Sequence, residues 1–212
     1  MAAHWDDLCG RRPTSEMSWY QDEPTVSLSL LEALGATKEQ PVVDVGGGAS
    51  VLVDRLLDLS FGDVSVLDVS STSLAHARRR LGERAEGVHW IHEDVLTWRP
   101  QRRYGIWHDR AVFHFLVEEE QRSAYLAALR TALTVEGRVV IGTFAGDGPR
   151  QCSGLRVQGY DPGGLAAVFG PEFEVVERRR EVHHTPGGAE QPFTWLAMVW
   201  HPRRGADPQG GG

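Results

Sequence analysis

An α/β domain built on a mostly parallel sheet with helices on both faces is the fold class this sequence predicts. Three observations carry it. Short apolar runs of strand length alternate with segments of helical periodicity between residues 41 and 144. The first run, Pro41 to Ser50 (PVVDVGGGAS), reads as strand, glycine turn and helix start. Near the C-terminus the alternation breaks: strand-like runs at 172–182 and 193–200 flank TPGGAEQP, which predicts a hairpin with a long connection. The 212 residues suffice for one such domain with a real core.

Residues 1–24 hold no clear periodic element but carry Trp5, Trp19 and Tyr20 in polar surroundings, and are expected to form a flap or lid. A helix is expected over 25–35, with Leu28, Leu31 and Leu34 at helical spacing and Gly35 as its stop. Strand one is expected at 41–45, followed by a helix over 49–60. VSVLD gives a second strand ending at Asp68, and Ser71 is the expected N-cap of a helix over 72–81. A third strand over 88–92 ends near Glu93-Asp94-Val95, and a fourth over 104–108 runs into His108-Asp109-Arg110. A helix over 119–133 precedes a fifth strand beginning at Gly137. Residues 145–164 read as a long glycine-rich loop, and 201–212 as a disordered tail.

Composition narrows the function classes. A net charge of -7 argues against a nucleic-acid partner. No uncharged apolar stretch reaches membrane-spanning length, and the first residues lack a secretory h-region. Two cysteines make no disulfide framework, so a reducing cytoplasm is expected. Lys38 is the only lysine and asparagine does not occur, a bias toward GC-rich codons that suggests a bacterial source.

In an open parallel sheet, ligands bind beyond the carboxyl ends of the strands. The residues read at those ends are Gly46, Gly47 and Gly48, then Asp68, Asp94 and His108 to Arg110. Glycines let a ligand lie against bare backbone. Asp68, twenty residues past Gly48, suits the two hydroxyls of a ribose. A dinucleotide fingerprint starting at Gly46 would need glycine at position 51, where Val51 stands.

These motifs resemble the class I S-adenosylmethionine (SAM)-dependent methyltransferases over roughly residues 18 to 200. DVGGG (Asp44 to Gly48) is similar to the family's first motif, and VLDVS, with Asp68 and Val69, to its ribose-binding motif. EDV, with Asp94 and Val95, is similar to its adenine-contacting motif; WHDRAVFHFL and EGRVVIGTF are similar to its fourth- and fifth-strand segments. The resemblance implies a Rossmann-like seven-stranded sheet whose last strand is antiparallel. It implies SAM as cofactor, S-adenosylhomocysteine as product, and a site of Asp44, Gly46, Gly47, Gly48, Asp68, Val69, Asp94, Val95 and His108, with Trp19 and Tyr20 over it.

Asp109, Arg110 and His114 are the catalytic candidates; Cys152, Tyr160, His183 and His184 are further acceptor-side candidates. Adjacent strand residues such as His183 and His184 face opposite ways, so no metal is expected. The two expected lid segments point to a small-molecule acceptor. HDRAVFHFL is also similar to a D-K-G-T-x-D segment of methyltransferase-like proteins, some of which modify protein lysines, although Ala111 stands in place of its glycine. A protein substrate, and a SAM-binding protein without catalysis, are the alternatives.

Overall fold

The computed structural model describes residues 1–202. The predicted tail therefore lies, from residue 203 on, outside the described residues. The chain runs α1 (Ala2–Arg11), α2 (Thr25–Ala33), β1 (Val42–Val45), α3 (Leu52–Asp58), β2 (Val64–Asp68), α4 (Ser71–Leu81) and β3 (Val88–His92). It continues with β4 (Tyr104–Arg110), α5 (Glu119–Ala132), β5 (Leu133–Phe144), a small hairpin of β6 (Gln151–Cys152) and β7 (Leu155–Arg156), α6 (Pro162–Phe169), β8 (Phe173–His184) and β9 (Glu190–Trp200).

Seven strands form one sheet in the order β3-β2-β1-β4-β5-β9-β8. Strands β1 to β5 pair in parallel, whereas β9 is antiparallel to both β5 and β8. The expected α/β class and antiparallel last strand are both present. Strand order reverses between β1 and β4, which opens a crevice at their carboxyl ends.

The period of two along each strand sorts side chains into two cores. Val43, Val45, Trp107, Tyr125, Leu129, Leu196 and Met198 pack on the α5 and α6 face. Val42, Leu56, Leu74, Ile106, Trp195 and Ala197 pack on the opposite face with Leu30 and Leu31 of α2. In β4, Trp107 and Asp109 therefore face α5, whereas Ile106, His108 and Arg110 face α2.

Several expectations need correction. Residues 2–11 form a helix that the sparse apolar positions did not signal. The helix after the glycine turn begins at Leu52, not at 49, so Gly46 to Val51 is a longer connection. Ser70, not Ser71, caps α4, accepting the Ser73 N–H at 3.1 Å. The stretch 145–164 is not featureless: it holds the β6–β7 hairpin, turned at Ser153 and Gly154 with φ of 50° and 79°, and the start of α6. Asp161 caps α6 through the Gly164 N–H at 2.9 Å, with proline in the first turn. The terminal hairpin is longer than expected, since β8 and β9 pair as far as His184 and Glu190.

Candidate active site

The cavity at the crevice is walled by the ends of β1, β2, β3 and β4, and covered by α1 and the segment around Trp19. Of the predicted residues, Asp44, Gly46, Gly47, Asp68, Val69, Asp94, Val95, His108, Arg110 and Trp19 line it together.

Asp44 and His108 are register partners across β1 and β4, so their side chains leave the sheet on one face. The Nδ1–H of buried His108 donates to Asp44 Oδ1 at 2.7 Å, and its Nε2 meets Ser27 Oγ of α2 at 2.9 Å. Asp44 Oδ2 is buried without a partner. The glycine turn lies against it: a Cβ at Gly47 would run into the Asp44 carboxylate. Gly46, at φ 68°, allows no Cβ for two reasons, the left-handed backbone and Val112 Cγ2 beside it.

Asp68 ends β2. Its Oδ2 accepts the Gly48 N–H at 2.9 Å and its Oδ1 the Ser70 N–H at 2.8 Å. Burial raises its pKa to about 6, against the pull of those two donors. Asp94 follows β3 and accepts the Leu96 N–H at 3.0 Å. Three carboxylates thus stand along one cavity at the ends of three adjacent strands.

Seven predicted residues lie elsewhere. Gly48 sits behind the turn, holding Asp68. Tyr20 is not in the cavity wall; hydrogen bonding to Asp22 raises its pKa. Asp109 is fully buried on the α5 face, where its Oδ1 accepts the Val112 N–H at 2.9 Å and its Oδ2 the Tyr125 hydroxyl at 2.6 Å. Its position as an acceptor-side acid is corrected by strand parity: a neighbour of His108 points the other way.

His114 is also fully buried, among Phe115, Phe144 and Phe193. The Phe144 N–H donates to its Nδ1 at 3.2 Å, which fixes the proton of the neutral ring on Nε2. Burial and the Arg110 charge depress its pKa to about 3. With its lone pair engaged and no place on the cavity wall, His114 is not positioned as a general base. Tyr160 packs on Phe113 in the core, His183 is buried with its ring nitrogen on Ser18 O at 2.8 Å, and His184 is exposed.

The structure adds Met1, Trp5, Cys9, Ser73 and Phe115 to the wall, and brings the predicted acceptor-side Cys152 there as well. Trp5 meets Phe115 edge-on at 5.2 Å, and Ser73 Oγ donates to Cys9 Sγ at 3.1 Å. Trp5 was legible as an aromatic in polar surroundings; Cys9 and Ser73 carried no signal.

The family described as "Methyltransferase domain" matches residues 42–137. The chain is 23% identical over 111 residues to a malonyl-[acyl-carrier protein] O-methyltransferase of Ilyobacter polytropus, covering 52% of this chain and 40% of that protein. It is 33% identical over 76 residues to thiocyanate methyltransferase 1 of Arabidopsis thaliana, covering 35% of this chain and 33% of that protein. The chain therefore spans less than half the length of either relative. The Burkholderia thailandensis 1,6-didemethyltoxoflavin-N1-methyltransferase, solved with 1,6-didemethyltoxoflavin and S-adenosylhomocysteine bound, superposes with a TM-score of 0.68 at 19% identity, covering 94% of this chain and 84% of that one. Residues 42–137 thus match a methyltransferase domain, and the chain shares its fold with that Burkholderia enzyme.

Proposed function

We propose that the chain transfers a methyl group from SAM to a small-molecule acceptor. The carrying observation is Asp44 Oδ2, a buried carboxylate oxygen without a partner, facing bare glycine backbone in a cavity that also holds Asp68 and Asp94. An unpaired buried acceptor calls for a donor, and the ammonium end of SAM supplies one. Asp68 retains lone pairs for two ribose hydroxyls beyond its two backbone donors, and Asp94 with Val95 and Leu96 forms the adenine end. When bound, SAM supplies an electrophilic methyl on sulfonium.

The remaining chemistry belongs to the chain. His108 holds Asp44 in one rotamer, so its free oxygen is aimed before the ligand arrives. Trp5, Trp19 and Phe115 exclude water and present aromatic faces that suit a cationic sulfur. Positioning of the acceptor then carries much of the rate, which suits a site without a free general base.

A small acceptor is supported by the cover that α1 and Trp19 place over the cavity, and by the 1,6-didemethyltoxoflavin bound in the Burkholderia neighbour. A protein-lysine acceptor has less support, because Asp109, half of the pair that suggested it, is turned into the core. Among the described residues no helix is long and apolar enough to cross a membrane. Two free buried thiols support a reducing, cytoplasmic setting, and codon bias supports a bacterial source.

The test uses SAM carrying a labelled methyl group in source lysate split by a size filter, with Asp68→Ala as control. Label passing the filter with the wild-type enzyme alone supports the reading. Label on a protein band supports the lysine alternative. No turnover above background despite SAM binding supports a non-catalytic role.

A further inference from the structure

Arg110 is the last residue of β4, and its side chain lies in the cavity wall on the same face as His108. Only Nη1 has a partner, donating to the Trp19 carbonyl at 2.7 Å. Nε and Nη2 are sealed from solvent and have no acceptor. These two atoms form one edge of the guanidinium, the fork that takes a carboxylate through two parallel hydrogen bonds. The ring of Phe193 lies 4.9 Å from Cζ and fixes the plane of the group.

A cation withdrawn from water normally has a counter-ion. Here neither nearby carboxylate, Asp44 or Glu181, bonds to it. Asp44 gives Oδ1 to His108, and Glu181 accepts from Gln21 Nε2 at 3.0 Å and from Trp195 Nε1 at 2.8 Å. Among the described residues, no carboxylate forms an ion pair with Arg110. His114, whose pKa the arginine helps depress, offers only an Nε2–H in that state, which is a donor rather than an acceptor. The desolvation is felt by Arg110 itself, whose pKa falls to about 10.

Two residues that line one cavity therefore carry unfilled valences: a negative one at Asp44 Oδ2 and a positive one at Arg110. Around the positive one stand Trp19, Cys152, Phe193 and His183. We propose that the Nε–Nη2 edge of Arg110 binds a carboxylate, or an equivalent planar two-oxygen anion, carried by the methyl acceptor. The acceptor class is then small organic acids. This inference rests on the methyltransferase reading, and deepens it.

The test titrates protein saturated with S-adenosylhomocysteine calorimetrically with benzoate, cinnamate and indole-3-acetate, and with the primary amide of each. Acid and amide share a shape, so their difference isolates the charged fork. The expected result is that at least one acid binds about tenfold or more tightly than its amide. Arg110→Met removes that preference; Arg110→Lys, which keeps the charge and loses the fork, keeps only part of it. S-adenosylhomocysteine affinity stays near the wild-type value in both variants. Because an unpaired buried charge is removed, Arg110→Met melts at or above the wild-type temperature.

Three results would overturn the proposal: no acid preferred over its amide, a preference unchanged in Arg110→Met, or a tenfold loss of S-adenosylhomocysteine affinity in that variant. The last would assign the fork to the cofactor's own carboxylate. Failure of the wild-type protein to bind S-adenosylhomocysteine would sink the methyltransferase reading instead, and the acid–amide comparison would then be read on ligand-free protein.

Discussion

The Tyr125 hydroxyl donates to Asp109 Oδ2 at 2.6 Å, at the centre of the core between β4 and α5. The same hydroxyl accepts the Trp107 Nε1–H at 2.8 Å, so three side chains of one face close a buried polar chain. Burial still raises the pKa of Asp109 to about 6. This acid is a structural hub: it also receives the Val112 and Phe113 N–H groups that turn the chain after β4.

Tyr125→Phe should therefore cost stability, about 1–3 kcal/mol, because Asp109 Oδ2 and Trp107 Nε1 both lose their partner. The sign of its pH dependence follows from the raised pKa. A protonated Asp109 tolerates the loss, whereas an ionised one is left uncompensated. The deficit in melting temperature should be larger at pH 8 than at pH 5, and S-adenosylhomocysteine affinity should be nearly unchanged. An equal deficit at both pH values would contradict the burial account.

Gly46→Ala should abolish cofactor binding, while Gly35→Ala should not. Both glycines have positive φ, 68° and 62°, so both variants carry backbone strain of about 1 kcal/mol. Only at Gly46 does a Cβ meet another side chain, Val112, in the cavity wall. Calorimetry on the two variants separates lost cradle from lost stability. Equal affinities would mean that the turn does not carry the ligand.

Much of this was legible in the sequence, because alternating periodicity and strand-end acids are local signals. Asp44, Asp68, Asp94 and His108 could be placed at strand ends by counting alone. Asp109 could not be read from its type. Its parity with Trp107, a residue that had to face the core, was the available signal. His114 sits in VFHFL, and its burial among three phenylalanines depends on contacts with β5 and β9 that no local pattern encodes. The helix α1 was missed because its partners are tertiary: Asp6 reaches the start of α4, and Cys9 reaches Ser73.

Asp6→Ala should loosen the cover of the cavity. Asp6 Oδ1 accepts the Ser70 hydroxyl at 2.7 Å and the Thr72 N–H at 3.0 Å, fastening α1 to the N-terminus of α4. Those donors, Thr72 first, hold its pKa below the usual carboxylate range. Loss of such a cap contact costs about 1 kcal/mol. Amide exchange should quicken over residues 2–11, and S-adenosylhomocysteine should bind a few-fold more weakly. Fast exchange with unchanged affinity would show that α1 covers the site without closing it.

Cofactor affinity should rise with pH through about 6, and Asp68 should be the reason. Burial lifts its folded pKa from 3.8 to about 6. Between those values the folded state holds a proton that the unfolded state has lost, so ligand-free stability falls as pH rises across this window and levels off above it. A ribose changes the balance, since two hydroxyl donors favour the ionised carboxylate. Binding then releases the proton, and affinity should increase by up to about tenfold per pH unit below 6, then plateau. Asp109 titrates in the same range but lies in the core, so it moves stability rather than affinity. Asp68→Asn separates the two: it should flatten the affinity profile, weaken binding at pH 7.5 and leave the Asp109 slope in thermal stability intact. A profile that stays steep in Asp68→Asn would assign the titration to another group and remove Asp68 from the ribose.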